Sequence, residues 1–260
     1  MKLVVNSADT FIGTGGREFD PSLPTIVFLH GAGLDHSVWA LLARSFAYRG
    51  FGVLAPDLPG HGRSAGALLS SIGDMADWTA ALMTAVGAQA ARLVGHSMGS
   101  LVALEVAACH PERAIGLALI GTAAPMRVSD DLLNAAKTND HSAIDMIAIW
   151  GNGYNATLGG SLAPGLWMLG GAERLLERAR PGVLFADLTA CNNYGDALAA
   201  AGKVTAPTIL ILGSRDVMTP AKSGKTLAGA IHGSRITVLE GAGHLLMSER
   251  PEEVFAALRS

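Results

Sequence analysis

One stretch constrains this chain more than any other: Arg92-Leu93-Val94-Gly95-His96-Ser97-Met98-Gly99-Ser100-Leu101-Val102-Ala103. It is a short apolar run, a turn with a glycine two places either side of a serine, and then a helix-forming run. Gly95-His96-Ser97-Met98-Gly99 fits the pattern G-x-S-x-G. That pattern lifts a serine hydroxyl above the end of a sheet on a sharp strand-to-helix turn. The glycines have a steric reason, because neighbouring backbone comes too close for a Cβ. A helix that starts here offers Ser97 unpaired N–H groups and the positive end of its dipole. Alone, the pentapeptide also fits an ordinary turn, so it needs partners elsewhere in the chain.

The 260 residues suit one large domain, or one domain carrying an insertion. Half are hydrophobic and 16% are charged, ample for a large buried core and unlike a disordered chain. A net charge of −3 with no basic stripe argues against a nucleic-acid partner. No apolar run approaches the roughly 18 residues of a membrane span, so no membrane partner is expected. The apolar segment in Met1–Ser7 is too short for a signal peptide. Cys109 and Cys191 are the only cysteines, so no disulfide framework is indicated and a reducing cytoplasm is expected.

Around the serine the chain alternates. β-type runs occupy 2–14 and 25–30, the second apolar throughout. The glycine-rich His30-Gly31-Ala32-Gly33-Leu34-Asp35 follows, then Val38, Trp39, Leu41, Leu42 and Phe46 at helical spacing, closing at Gly50. Val53-Leu54-Ala55 is a short strand running into Pro56-Asp57-Leu58-Pro59-Gly60-His61-Gly62-Arg63-Ser64, too rich in Pro and Gly to be regular. A helix is expected over 74–87 and a buried strand over 114–120. After a long interruption, strands recur at 207–213 and 235–239, with a helix opening between them at Thr219 as N-cap and Pro220 as first residue. Pro251 opens a final helix. Alternation of this kind predicts an α/β fold: a mostly parallel sheet with helices on both faces and ligands at the carboxyl ends of the strands. His30-Gly31, Asp57 and Ser97 fall on that rim.

From about 124 to 203 no strand is convincing. Short apolar groups such as Leu132-Leu133, Ile149-Trp150 and Val183-Leu184 suggest short helices, separated by Gly151, Gly153, Gly159-Gly160, Gly165 and Gly170-Gly171. The expected organisation is a core of 1–123 and 204–260 carrying a helical cap of 124–203. The glycines suggest a cap that opens and closes as a lid.

A serine hydroxyl is a poor nucleophile at neutral pH and needs a base, which in turn needs an acid to fix its tautomer. His244, in Gly241-Ala242-Gly243-His244, follows the last predicted strand, and Asp216 follows the strand before it. Asp57 is the best rival for the acid, with Asp187 and Asp196 weaker. His30 suits an ordering role in its loop, and His96, next to the serine, is expected to point away from it. Cys109, about three turns into the helix after Ser97, suits core.

Taken together, His30-Gly31, the Asp57–Ser64 loop, Gly95-His96-Ser97-Met98-Gly99, Gly213 with Asp216 and Pro220, and Gly243-His244 resemble the α/β-hydrolase fold superfamily, in its capped serine hydrolase branch of esterases and enol-lactonases. The likeness covers the chain except the cap. It implies a catalytic triad of Ser97 as nucleophile on its elbow, His244 as general base and acid, and Asp216 as the orienting carboxylate. It also implies an oxyanion hole from the backbone N–H groups of Ala32 and Met98.

No phosphate-binding loop and no metal-ligand spacing occurs, so neither cofactor nor metal is expected. Relatives that open epoxides or displace halide resemble this chain but carry aspartate at the elbow. Serine there makes a carboxylic ester or lactone the expected substrate, with water as acyl acceptor, and the apolar pocket candidates make that substrate a small, largely apolar one. Met146, Trp150, Trp167, Met218 and Leu245 are candidate pocket residues, although each also fits plain cap core. Alternatives are a carbon–carbon bond hydrolase or cofactor-free perhydrolase on the same triad, and a non-catalytic ligand-binding member of the fold.

Overall fold

A computed structural model of the chain describes residues 1–160 and 167–259; Gly165, expected as a helix break, lies outside them. The first β-type run is two strands, β1 (Lys2–Val5) and β2 (Ala8–Gly13), paired antiparallel. Asn6 and Ser7 between them both have positive φ, 46° and 65°, as a tight primed hairpin turn requires. The remaining strands are β3 (Thr25–Leu29), β4 (Gly52–Pro56), β5 (Ala91–His96), β6 (Ala114–Ile120), β7 (Thr208–Gly213) and β8 (Arg235–Leu239). They complete an eight-stranded sheet in the order β1-β2-β4-β3-β5-β6-β7-β8, and every pair from β4 to β8 is parallel.

The inner strands are chiefly apolar because both faces are covered, with Thr25, Arg92, His96 and Thr208 as their polar members. Val27 and Leu29 join one apolar layer with Leu93, Leu117, Leu119, Leu210 and Leu212, while Ile26 and Phe28 face the other layer with Val94, Ile120 and Ile211. Helices α1 (Ala40–Ala47), α2 (Ile72–Ala85) and α3 (Met98–Cys109) follow the early strands. The second begins two residues before the expected position, because the Ser71 hydroxyl accepts the Asp74 N–H at 3.0 Å and caps it there. Cys109, expected in the core, is exposed at the end of α3.

Between β6 and β7 run α4 (Asp130–Lys137), α5 (Ser142–Gly151), α6 (Tyr154–Thr157), α7 (Met168–Leu176), α8 (Val183–Asn193) and α9 (Ala197–Ala201). Leu132, Ile147, Leu176 and Leu188 gather around Leu34 of the loop after β3, forming an apolar cluster of their own. Ala197, Ala200 and Ala201 of α9 instead join the layer packed on α3. The chain ends with α10 (Ala221–Ala230), α11 (Leu246–Glu249) and α12 (Pro251–Arg259). Among the described residues no helix is long and apolar enough to cross a membrane.

The strand order reverses at β3, which lies between β4 and β5. Connections leave β3 and β5 toward opposite sides, and a crevice opens between their carboxyl ends. His30-Gly31 and Ser97 flank that crevice.

Candidate active site

The turn at Ser97 is forced by close approach. A Cβ on Gly95 would overlap the Gly99 carbonyl, and one on Gly99 would overlap the carbonyl of Leu29. Ser97 itself takes φ 51° and ψ −120°, a conformation costing a non-glycine residue about 1–3 kcal/mol. Its N–H donates to the Ile120 carbonyl at 2.9 Å, so β6 holds the turn in place. Met98 is the first residue of α3. Its N–H, like others in a first turn, has no acceptor inside the helix.

The loop beyond β8 presents His244. Its backbone N–H and that of Leu245 both donate to the Gly151 carbonyl, at 2.9 and 2.8 Å, so the end of α5 grips this loop. Gly243 N–H donates to Glu249 Oε1 at 3.0 Å, and Gly153 N–H to Oε2 at 3.1 Å. Burial holds the Glu249 carboxyl above its ordinary range despite those two N–H donors. Neither Gly151 nor Glu249 carries a sequence signal for such a role.

His244 Nδ1 lies 2.8 Å from Asp216 Oδ2. Asp216 Oδ1 accepts the N–H groups of Met218 and Thr219 at 2.9 and 2.7 Å, and Oδ2 accepts the Thr219 hydroxyl at 2.6 Å. Burial raises the Asp216 pKa, but the His244 charge and hydrogen bond and the Thr219 donors outweigh it and leave the pKa lowered. An ionised carboxylate directs Nδ1–H toward itself and leaves His244 Nε2 as the free ring nitrogen. Thr219 does not cap α10 as expected; its side chain is spent on Asp216, and Pro220 occupies the cap position.

His96 is buried against His244. It lines the same cavity as Ser97 and His244, its ring packs 4.7 Å from the His244 ring, and its Nε2 meets the His244 carbonyl at 2.9 Å. Burial, then the neighbouring His244, depresses it to about 3, so it is neutral. His30 Nδ1 donates to the Gly31 carbonyl at 2.9 Å, and its Nε2 accepts the Leu58 N–H at 3.2 Å. Burial and the His61 charge lower it to about 4.

The rival acids lie elsewhere. Asp57 accepts His36 N and Nδ1 at 2.7 Å each and Arg63 N at 2.8 Å. Asp187 meets Gly33 and His61. Asp35, His36 and Asp57 cluster in space, but the carboxylate oxygens already face N–H donors of Ser37, Arg178, His36 and Arg63.

Two cavities meet at Ser97 and share Ala32, Leu188, Met218 and His244 on their walls. The first, about 250 Å³, adds Leu34, Ile147, Trp167, Met168, Leu176 and Leu245. The second, about 180 Å³, adds Arg127, Ser129, Trp150 and Thr219. Of the candidate pocket residues, Trp167 and Leu245 line the first cavity, Trp150 the second and Met218 both. Met146 lines neither; it packs in the cluster around Leu34.

Residues 26–258 match the model of the alpha/beta hydrolase family, and the chain belongs to that family. It is 32% identical over 246 residues to a pimeloyl-[acyl-carrier protein] methyl ester esterase of Chromobacterium violaceum, covering 90% of this chain and 92% of that one. Among solved structures it resembles the enol-lactonase from Burkholderia xenovorans LB400, with TM-score 0.87, 24% identity and coverage of 100% and 98% of the two chains. A thermophilic esterase superposes with TM-score 0.80 at 27% identity, covering 100% of this chain and 95% of that one.

Proposed function

We propose that the protein is a serine-dependent carboxylic ester hydrolase working through an acyl-enzyme on Ser97. The observation that carries this is the Asp216–His244 pair, 2.8 Å apart, on a cavity whose wall also contains Ser97. In this reading His244 Nε2 takes the Ser97 proton as Oγ attacks the ester carbonyl. The N–H groups of Ala32 and Met98 hold the resulting oxyanion, and the imidazolium returns its proton to the departing alcohol. Water, deprotonated by the same nitrogen, then releases the acid.

The two cavities suit the two sides of an ester, with the larger one walled chiefly by apolar side chains. A small, largely apolar ester fits the cavities, and the methyl ester esterase among the similar proteins supports hydrolysis of an ester. Residues 124–203 act as a cap over a core of 1–123 and 204–260. The grip of Gly151 on the His244 loop favours a cap that stays seated at that end over a freely swinging lid. A cytoplasmic setting fits the two unpaired cysteines.

The test is incubation with a fluorophosphonate probe and with short p-nitrophenyl esters, comparing wild type with Ser97→Ala. Labelling and ester turnover in the wild type alone are expected. Labelling without turnover would point to another serine reaction on the same site, and neither result would point to a binding protein.

A further inference from the structure

Asp187 lies on the buried stripe of α8, one turn from Val183 and one turn from Cys191, both also buried. A carboxylate there loses its hydration, and only pairing compensates. Its Oδ2 accepts Gly33 N–H at 2.8 Å and meets His61 Nε2 at 2.8 Å. The other ring nitrogen of His61 lies 3.0 Å from the Pro59 carbonyl, which can only accept. An ionised Asp187 likewise only accepts, so with that carboxylate charged both His61 nitrogens carry protons. Burial opposes that charge, but Asp187 overcomes it and raises the His61 pKa.

The target of this buried pair is informative. Gly31 C=O and Ala32 N–H belong to one rigid, planar peptide, with the two bonds pointing in opposite directions. Gly31 O is held from behind by His30 Nδ1 at 2.9 Å and Leu34 N at 3.2 Å. The next peptide plane, Ala32–Gly33, is held by Asp187. Gly33 has φ +67°, so this turn has no regular ladder to fix it. The same turn is braced once more, by the Arg178–Asp35 ion pair.

We propose that Asp187, backed by His61, is a positioning residue for the oxyanion-binding N–H of Ala32, so that a helix inserted between β6 and β7 completes a hole built on the loop after β3. This rests on the Ser97 ester hydrolase reading. The acid is not a triad member; it acts through the Ala32–Gly33 peptide on charge that develops only in the transition state.

The test compares wild type, Asp187→Ala and Asp187→Asn. Asparagine keeps an oxygen for Gly33 N–H but not the charge that pairs with His61. Measured quantities are kcat and KM on p-nitrophenyl butyrate, affinity for a trifluoromethyl ketone that forms a tetrahedral Ser97 adduct, affinity for butyrate, and melting temperature. Asp187→Ala is expected to lower kcat by about 10- to 100-fold with KM near wild type, short of the ~10²–10³ that removal of a donor costs. Ketone affinity should fall by the same factor, butyrate affinity should hold, and Asp187→Asn should recover part of the loss. A folded variant with wild-type kcat, or with ketone and butyrate affinity lost equally, overturns the proposal. If Asp187→Ala does not fold, the isosteric Asp187→Asn carries the same comparison. Wild type that neither hydrolyses ester nor takes probe at Ser97 defeats the functional reading itself, an outcome distinct from active wild type with unaffected Asp187 variants.

Discussion

The hydroxyl of Thr219 stands 3.1 Å from Nδ1 of His244 and donates to the Asp216 oxygen that the imidazole also meets. Thr219 thus shares the orienting of His244 with the carboxylate. Hydrogen bonds to charged groups contribute about 1.5–3 kcal/mol. Thr219→Val keeps the shape and removes the donor. It should lower kcat on a p-nitrophenyl ester by about 10-fold or more, with Ser97 still reactive to the probe. Unchanged kcat would show that Asp216 alone holds the ring.

The elbow glycines give a stability prediction. A Cβ on Gly95 meets the Gly99 carbonyl, and both are rigid backbone. Gly95→Ala should lower the melting temperature by about 10 °C or prevent folding, since overpacking costs about 1–3 kcal/mol or more. Gly229→Ala in α10 meets no atom within 4 Å. It should be neutral or stabilising by up to about 1 kcal/mol. Equal melting temperatures for the two variants would contradict the packing argument.

The buried neutral histidines give a pH dependence. His30 and His96 titrate near 4 and 3 in the folded chain, both lowered chiefly by burial. An unfolded imidazole takes its proton near 6.5. Between these values the unfolded state binds more protons, so stability is full above about 6.5 and falls as pH drops. From pH 7 to pH 5 each should cost the fold about 2 kcal/mol. His61, whose pKa is raised, acts in the opposite sense and only above the unfolded value. Urea midpoints at the two pH values should therefore differ less for His30→Gln than for wild type. An identical pH slope would count against a buried neutral His30.

The larger cavity should set chain length. Ile147 lines it but not the smaller one. Ile147→Phe should reduce kcat/KM for a hexanoate ester by about 10-fold or more, following the 1–3 kcal/mol per methylene of apolar pockets. The acetate ester should stay within about threefold, well inside that range. An unaltered profile across acetate to octanoate would remove this cavity from substrate binding.

Much of the frame is legible in the amino-acid sequence. Apolar runs at 25–30, 114–120 and 207–213 became inner strands because a strand covered on both faces has no polar side to show. Gly95 and Gly99 announced the elbow because only hydrogen fits there. Asp216 and His244 were legible as residues just past strand ends, and β7 and β8 do bring them together. The misses share one cause. Thr219 looked like a helix cap because capping and binding a nearby carboxylate use the same hydroxyl. The partner of His96, the His244 loop, lies 148 residues away and left no local signal. Met146 showed the apolar pattern of its neighbours, and nothing local says which apolar side chains of a helix meet a cavity. Asp187 did leave a trace, an acid on a stripe with Val183 and Cys191, yet its partners lie far away in the chain.

By itself the sequence determined the elements whose rules are local: strand period, glycine sterics at the turn, and the order in which serine, acid and histidine follow their strands. Tertiary structure alone decided how those groups are held, through Thr219 on the Asp216 carboxylate, Gly151 under the His244 loop and Asp187 against Gly33. The physical reason is that a buried polar group takes whatever partner the fold places within about 3 Å. That partner can be a hundred residues distant, where no period or spacing records it.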